Sequence, residues 1–159
     1  YSLLREISNA GHTIGIHSAS HDYEKIYASV DAFLEDFNEA YEIVLEATGK
    51  APDIYRFPGG SVNDYNEKTR DDIIAEMDRR GFTYFDWNVD SNDWQGYGWT
   101  TLYTNVLKDA EEFSSPVILF HNTGDRDNTV LVIEDIIKAL KNKGYKFGSL
   151  SQKIKPVQF

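Results

Sequence analysis

Helix-like and strand-like segments alternate along this chain, and that alternation restricts its fold more than any other feature of the sequence. Apolar residues at three- and four-residue spacing, as in Phe33, Phe37, Tyr41 and Val44, predict amphipathic helices. Short apolar or β-branched runs follow these helices, as expected for buried strands. The predicted helices end at Gly11, Gly49, Gly81 and Gly144, with a further one over 100–113, and the predicted strands are 14–16, 54–57, 82–89, 117–120 and 146–150. This order predicts an α/β domain with parallel strands and with functional residues on the loops that follow the strands.

Charge and composition exclude several kinds of partner. The chain has 159 residues, a formal net charge of −10 and a pI near 4.8. A nucleic-acid surface needs clustered Lys and Arg, so nucleic acid is excluded and a neutral polymer such as a polysaccharide is favoured. No apolar run approaches the roughly 20 residues that cross a bilayer, so we expect no transmembrane segment. The apolar content of 41% suits a single domain over residues 1–159, and the lack of cysteine excludes disulfides and thiol chemistry.

Two histidines, His17 and His21, follow the predicted strand 14–16 and lie four residues apart. Such a pair is more often an ordinary surface or capping pair, but neutral imidazoles also bind Zn²⁺, Co²⁺ or Ni²⁺. A catalytic zinc site usually has three protein ligands, so a carboxylate would have to come from elsewhere in the chain. His12 precedes the strand and is predicted to be a surface residue.

Further polar residues lie at or beyond the ends of predicted strands. His121 directly follows 117–120, a position that favours a general acid. Asp93 either caps a turn or, beside His121, stabilises the protonated ring that donates to a leaving amine. Arg56 either pairs with a surface acid or orients a carboxylate through its planar guanidinium group.

Aromatic residues are concentrated around residues 94–99. Trp94, Tyr97 and Trp99 could all be core residues, which is the commoner fate of such side chains. Gly96 and Gly98 predict a loop here, however, and exposed aromatic rings on a loop are suitable platforms for sugar rings.

In order and spacing, the segments His17–His21, Arg56–Gly60, Asp90–Trp94 and Leu119–His121 resemble the polysaccharide deacetylase family of metal-dependent carbohydrate esterases. This family is also known as the NodB-homology or carbohydrate esterase family 4 type. The resemblance implies a distorted or incomplete (β/α) barrel of parallel strands.

The resemblance also implies the catalytic roles. His17 and His21 would bind a divalent metal ion, most readily Zn²⁺, with Co²⁺ or Ni²⁺ as alternatives. Arg56 would position the catalytic base, Asp93 would tune the catalytic histidine, and His121 would be the general acid.

A second set of residues would contact the substrate. Pro58 and Gly59 resemble the loop whose backbone N–H contributes to the oxyanion hole, and Trp94 and Leu119 would line the groove around the acetyl group. In the family mechanism a metal-bound water attacks the acetamide carbonyl and the products are a free amino sugar and acetate. The stretch 121–123 with the later Thr129 is likewise typical of bacterial members.

One departure from the family pattern affects these expectations. The family begins with an Asp-Asp segment that supplies the base and the third metal ligand, and no such segment precedes His17. Asp71-Asp72 comes too late in the order of strands to replace it. We therefore expect a truncated or partly processed piece of a longer protein that lacks the first strand, the alternative being a variant that has lost its base. For residues 1–159 alone we expect weak metal binding and little or no turnover.

Several functions remain open at this point. The first is N-deacetylation of peptidoglycan or chitin-like N-acetylglucosamine polymers, and the nearest alternative is O-deacetylation of acetylated xylan. A catalytically inactive carbohydrate-binding domain and a purely structural α/β domain are the other hypotheses. The expected substrate places the protein outside the cell or at the cell envelope of a bacterium, and the sequence leaves its oligomeric state undetermined.

Overall fold

Helices and short parallel strands alternate in the computed structural model, which describes residues 1–122, 124 and 127–159. The helices are α1 (Ser2–Asn9), α2 (Tyr23–Ile26), α3 (Val30–Thr48), α4 (Arg70–Arg79), α5 (Trp99–Ala110) and α6 (Asp127–Asn142). The strands are β1 (Ile54–Tyr55), β2 (Thr83–Tyr84), β3 (Val89–Asp90) and β4 (Ile118–Leu119), and a 3₁₀ turn covers Asp93–Gln95. None of the helices described is long and apolar enough to cross a membrane.

The described residues form two compact units. The first comprises 1–86 and 149–159, and the second comprises 87–148. The prediction of a single domain over residues 1–159 stays a prediction.

In the first unit, β1 and β2 pair in parallel and carry an aromatic core. Tyr55 lies opposite Tyr84, and an isolated parallel bridge joins Ile16 to Tyr55. The rings of Phe33, Phe37, Tyr55 and Phe57 pack against one another and are almost fully buried. The bridge at Ile16 fixes the start of the loop that carries His17.

In the second unit, β3 and β4 also pair in parallel, with Val89 opposite Ile118 and Asp90 opposite Leu119. Helices α5 and α6 cover this pair with an aliphatic core that includes Leu102. The predicted α/β architecture with parallel strands is therefore confirmed. The described strands form one two-stranded sheet in each unit and no closed barrel.

The ends of α3 follow the sequence signals. The Ser29 hydroxyl accepts a hydrogen bond from the Ala32 N–H at 3.1 Å, which satisfies a backbone donor that the first turn leaves unpaired. At the other end Gly49 has φ 69°, and its N–H donates to the Leu45 carbonyl. Both predicted ends of this helix are confirmed.

The strand predictions were wrong in extent, division or existence. The segments 54–57 and 117–120 form strands of only two residues each, and 14–16 contributes only the isolated bridge at Ile16. The segment 82–89 contains two short strands instead of one, because Asp86 leaves the ladder and its N–H donates to the Val157 carbonyl. The predicted strand 146–150 has no regular structure. Phe147, its main apolar residue, is 52% exposed, so this segment lacks the buried face that a strand needs.

Candidate active site

The candidate site residues fall on both units of the structure. The first unit carries His17, His21, Arg56, Pro58 and Gly59, and the second carries Asp93, Trp94, Leu119 and His121.

His17 and His21 are neighbours in space as well as in sequence. Their ring centroids are 5.1 Å apart and their planes are inclined by 57°. Two imidazoles on one tetrahedral zinc ion have centroids about 5.2 Å apart, since each centroid lies about 3.2 Å from the ion along a Zn–N bond of about 2.1 Å. The pair therefore fits two positions of one tetrahedral metal site.

A backbone carbonyl fixes the tautomer of His17. Nδ1 lies 2.9 Å from the Arg56 carbonyl oxygen, which can only accept, so Nδ1 carries the proton. The lone pair of the neutral ring is then on Nε2, the atom that a metal ion would bind. In many metal-binding histidines of proteins, the ring nitrogen that does not bind the metal donates such a hydrogen bond, which orients the ring.

Asp36 on α3 holds the loop between the two histidines. Its carboxylate is 3% exposed and accepts bonds from the Ser18 hydroxyl at 2.6 Å and from the Ala19 and Ser20 N–H groups at 2.9 Å. Burial opposes ionisation of Asp36, but these bonds outweigh it and lower the pKa of the carboxyl below its ordinary value. Our sequence reasoning missed Asp36, although an acidic residue on the apolar side of α3, beside Phe37, was a usable signal.

Backbone strain marks two of the loops that carry site residues. Among the described residues, positive φ occurs outside glycine only at His21, with φ 54°, and at Asn92, with φ 55°. This conformation costs of order 1 kcal/mol or more, and it persists where the surrounding contacts impose it. At His21 those contacts include a bond from its N–H to the Ser18 hydroxyl and packing of its ring on Tyr23.

The described residues do not form a complete metal site. They contain no group of three His, Cys, Asp or Glu residues that could hold an ion. The two histidines thus fit the nitrogen ligands of a metal centre, and a third protein ligand is not placed.

Arg56 is partly buried and directly follows β1. Its Nε donates to the Phe85 carbonyl at 2.9 Å and its Nη2 lies 3.4 Å from the Asp86 carbonyl. Burial lowers the pKa of Arg56 and the negative charge of Asp86 opposes that shift. The guanidinium group is held in one orientation by backbone oxygens, as a group that positions another side chain requires.

A buried carboxylate holds the loop that follows Arg56. Asp86 is fully buried and accepts from the Ser61 N–H at 2.8 Å and from the Ser61 hydroxyl at 2.6 Å. The Tyr27 hydroxyl donates to the Pro58 carbonyl at 2.6 Å, and Gly59 has φ 77°. These contacts fix the backbone at 58–61, and no local pattern predicted the Ser61–Asp86 pair.

In the second unit, Asp93 and His121 form a hydrogen-bonded pair. The buried Asp93 carboxylate accepts from His121 Nδ1 at 2.7 Å, from the His121 N–H at 2.8 Å and from the Thr129 hydroxyl at 2.8 Å. Burial opposes ionisation of Asp93, but these bonds hold the pKa of the carboxyl below its ordinary value. The His121 side chain is 38% exposed. The sequence prediction placed these two residues together correctly.

Trp94 and Leu119 flank this pair in sequence. Trp94 is 53% exposed and Leu119 is buried in β4. Their roles around an acetyl group stay predictions, and Thr123 lies outside the described residues.

Comparisons with known proteins agree with the predicted fold and family. The family model for polysaccharide deacetylases matches residues 1–82. The putative polysaccharide deacetylase YheN of Bacillus subtilis is 31% identical, with 97% of this chain and 54% of that protein covered. A peptidoglycan-N-acetylglucosamine deacetylase of Bacillus cereus is 30% identical, with 91% and 52% covered. The chain thus spans about half the length of these two relatives.

A solved structure shows the same fold. The catalytic domain of peptidoglycan N-acetylglucosamine deacetylase from Eubacterium rectale matches with a TM-score of 0.93 and 31% identity, over 99% of this chain and 74% of that chain. The predicted fold type, a parallel-stranded α/β structure of the NodB kind, is therefore confirmed.

Proposed function

Because this chain belongs to the polysaccharide deacetylase family, we propose that it acts as a metal-dependent hydrolase that removes N-acetyl groups from polymers of N-acetylglucosamine. Peptidoglycan is the first polymer to test, since the relatives from B. cereus and E. rectale are named for that substrate. A chitin-like polymer offers the same acetamide group. The cell envelope, where peptidoglycan lies, is the proposed site of action.

The observation that carries this proposal is the contact of His121 with the buried, ionised Asp93. Hydrolysis of an amide forms a C–O bond from water and breaks the C–N bond, and the departing nitrogen must gain a proton. His121 is the proposed donor of that proton. Asp93 accepts the hydrogen bond from Nδ1 and so orients the ring, which leaves Nε2 as the atom that donates to the leaving group.

The first unit contributes the proposed metal ligands. Zn²⁺ is favoured, with Co²⁺ or Ni²⁺ as alternatives, and His17 and His21 would hold the ion. A bound divalent ion would polarise the carbonyl group and lower the pKa of water at that place. The Arg56 carbonyl and Asp36 keep the two imidazoles oriented for this role.

Binding of Co²⁺ tests these ligands without any need for turnover. We expect absorption bands typical of histidine-bound Co²⁺, and we expect His17→Ala or His21→Ala to weaken binding at least tenfold. His12→Ala is the matched control, because His12 is exposed and outside the loop. Equal Co²⁺ affinity in all three variants and the wild type would refute the assignment.

Backbone groups of the 58–60 loop are the proposed stabilisers of the oxyanion. Gly59 adopts a backbone angle that other residues rarely adopt, and an added Cβ there would lie 3.3 Å from the Tyr23 hydroxyl. Arg56, at the start of this loop, is proposed to orient the catalytic base. In the family pattern that base is one aspartate of the Asp-Asp segment, and residues 1–16 contain no aspartate.

Acetate release from N-acetylglucosamine oligomers tests the whole proposal. The gene-length protein and residues 1–159 are assayed with added Zn²⁺ or Co²⁺, with and without a chelator. We expect the gene-length protein to need metal and to lose activity by about 100-fold or more in His121→Ala, because a general acid supplies at least that factor. His12→Ala serves as the control. Activity that survives the loss of His121 would contradict the proposed role.

A second candidate function is sugar binding without turnover. The observation that favours it is the lack of a third metal ligand among the described residues. It predicts that N-acetylglucosamine oligomers bind to the protein and that neither a chelator nor His121→Ala changes their affinity. An O-deacetylase would instead release acetate from acetylated xylan and not from the amide substrate.

A further inference from the structure

Residues 91–107 form the longest surface stretch with almost no charge in the second unit. Asp93 is the one charged residue in that stretch, and its side chain is buried. Charged residues make up 26% of the whole chain, so a solvated surface of ordinary composition would carry several here. Amide and hydroxyl side chains and aromatic rings take their place.

Two aromatic rings in this stretch are exposed and held in place. Trp99, 36% exposed, begins α5 and stacks on Tyr103 with centroids 4.9 Å apart and planes 10° from parallel. Tyr103 packs against the core of the second unit. Because Tyr103 covers one face of the indole, the exposed area of Trp99 lies on the opposite face and the edges.

Tyr97 is oriented by a chain of hydrogen bonds. Its side chain is 38% exposed, and its hydroxyl donates to Gln95 Oε1 at 2.7 Å. Gln95 Nε2 donates to Asn92 Oδ1 at 3.0 Å, and the Asn92 N–H donates to Asp90 Oδ1 at 2.8 Å. A ring that is ordered before binding loses little conformational entropy when a ligand stacks on it.

Open space surrounds the backbone next to these rings. A Cβ added at Gly96 or Gly98 would meet no atom within 4 Å. Gly96 also needs its positive φ of 74° to complete the 3₁₀ turn. The loop thus presents two partly exposed rings, with open space at the Cβ positions of the two glycines next to them.

From these features we propose that Tyr97 and Trp99 form a platform, the 97/99 platform, on which sugar rings of a neutral polymer stack. Axial C–H groups of a pyranose ring carry partial positive charge, and the faces of aromatic rings carry partial negative charge. Asn92 and Gln95 lie beside the rings as donors and acceptors for sugar hydroxyl groups. The inference deepens the proposed function and rests on it for the identity of the polymer.

Continuity with the catalytic pair favours a substrate over another partner. Asp93, which holds His121, is the first residue of the turn that leads to Tyr97. A polymer bound through one acetylated sugar would extend neighbouring sugars along such a loop. The lack of charge favours a neutral sugar chain over a protein partner that would use ion pairs.

Binding titrations test the platform without any turnover. N-acetylglucosamine oligomers of increasing length are titrated into the protein by calorimetry in the presence of a chelator. The variants are Tyr97→Ala and Trp99→Ala. Phe113→Ala is the matched control, because Phe113 is an aromatic residue of the second unit with 37% exposure beyond the other end of α5.

We expect affinity to rise with oligomer length in the wild type and in Phe113→Ala. Each platform variant should bind the longest oligomer about 2- to 12-fold more weakly, the range for one aromatic contact, and should lose most of the gain with length. Circular dichroism and the unfolding midpoint verify that the variants are folded.

Three results would overturn the platform. They are unchanged affinity in both platform variants, an equal loss in Phe113→Ala, and a wild-type dimer that Trp99→Ala dissociates without any change in sugar binding. The proposed function would survive each of these if acetate release still required His121. Conversely, ring-dependent oligomer binding without acetate release would support the platform and refute the catalytic proposal.

Discussion

Replacing Asp93 with asparagine tests the electrostatic core of the second unit. In the wild type, Asp93 Oδ2 accepts from the His121 N–H and from Thr129, while Oδ1 accepts from His121 Nδ1. Asparagine keeps a single oxygen, which can retain the two bonds made to Oδ2. Its NH₂ group would then face the Nδ1–H of His121, so the bond to a charged group is lost, and only a change of tautomer would allow a neutral bond in its place.

The size of the effect follows from that one bond. A hydrogen bond to a charged group contributes about 1.5–3 kcal/mol, so Asp93→Asn should lower the free energy of unfolding by about that amount at pH 7. The folded-state pKa of Asp93 lies below its unfolded value, so the carboxylate stabilises the fold above the unfolded pKa of about 4. This stabilisation is lost as the pH falls through the folded pKa. The difference between wild type and variant should therefore shrink below about pH 4.

Urea unfolding followed by tryptophan fluorescence measures this difference for the second structural unit, which contains Asp93. All three tryptophans, Trp87, Trp94 and Trp99, belong to the second unit. Asp90→Asn is the control, because Asp90 Oδ1 accepts a bond from the Asn92 N–H that asparagine can also accept. A loss below about 0.5 kcal/mol in Asp93→Asn at pH 7, or a loss that stays constant down to pH 3, would refute this reasoning.

Four further substitutions test the first unit by its unfolding free energy, and Glu35→Gln serves as a control for one of them. Tyr55→Phe removes a buried hydroxyl that lacks a partner within the described structure, so we expect a gain of up to about 1 kcal/mol. Tyr27→Phe breaks the hydrogen bond to the 58–61 loop and should cost about 1 kcal/mol. A loss of stability in both variants would contradict the view that the Tyr55 hydroxyl has no partner. Asp36→Asn should cost about 2–4 kcal/mol and weaken Co²⁺ binding, because one amide oxygen cannot accept all three hydrogen bonds from the loop at 18–20. Glu35 is exposed on the same helix, so the control Glu35→Gln should change neither stability nor Co²⁺ binding. Gly59→Ala should cost about 1 kcal/mol because of its positive φ, and an unchanged unfolding midpoint would show that the loop relaxes freely.

Local signals in the sequence predicted the helices well. Ser29 and Gly49 mark the ends of α3 because capping depends on residues that are close in sequence. Strand lengths were less predictable, because they depend on partners distant in sequence. Asp86 ends the ladder after β2 through Val157, which lies 71 positions later in the chain, and no local pattern encodes that contact.

The distinction between signals local in sequence and contacts between distant segments also applies to the candidate site. His17, His21, Asp93 and His121 could be recognised because their chemistry is unusual at strand ends. Asp36, Asp86 and Ser61 were missed because they act through buried hydrogen bonds between segments far apart in sequence. Of these three residues, Asp36 alone carried a usable signal of a buried role, because it is an acidic residue at an apolar position of α3.

The predicted roles of Trp94 and Leu119 around the acetyl group can be tested with altered substrates. Trp94 and Leu119 differ strongly in exposure, and neither has a contact that identifies a ligand group. Substrate analogues with altered acetyl groups would separate their contributions.

The measurement that tests the central claim most directly is the product balance on an N-acetylglucosamine oligomer treated with the metal-loaded gene-length protein. Acetate and new free amine are quantified in the same reaction, for the wild type, His121→Ala and the His12→Ala control. We predict equal amounts of the two products from the wild type and the control, and a loss of both in His121→Ala. Acetate without new amine, or equal product from His121→Ala, would contradict the claim that this chain is an N-deacetylase with His121 as its proton donor.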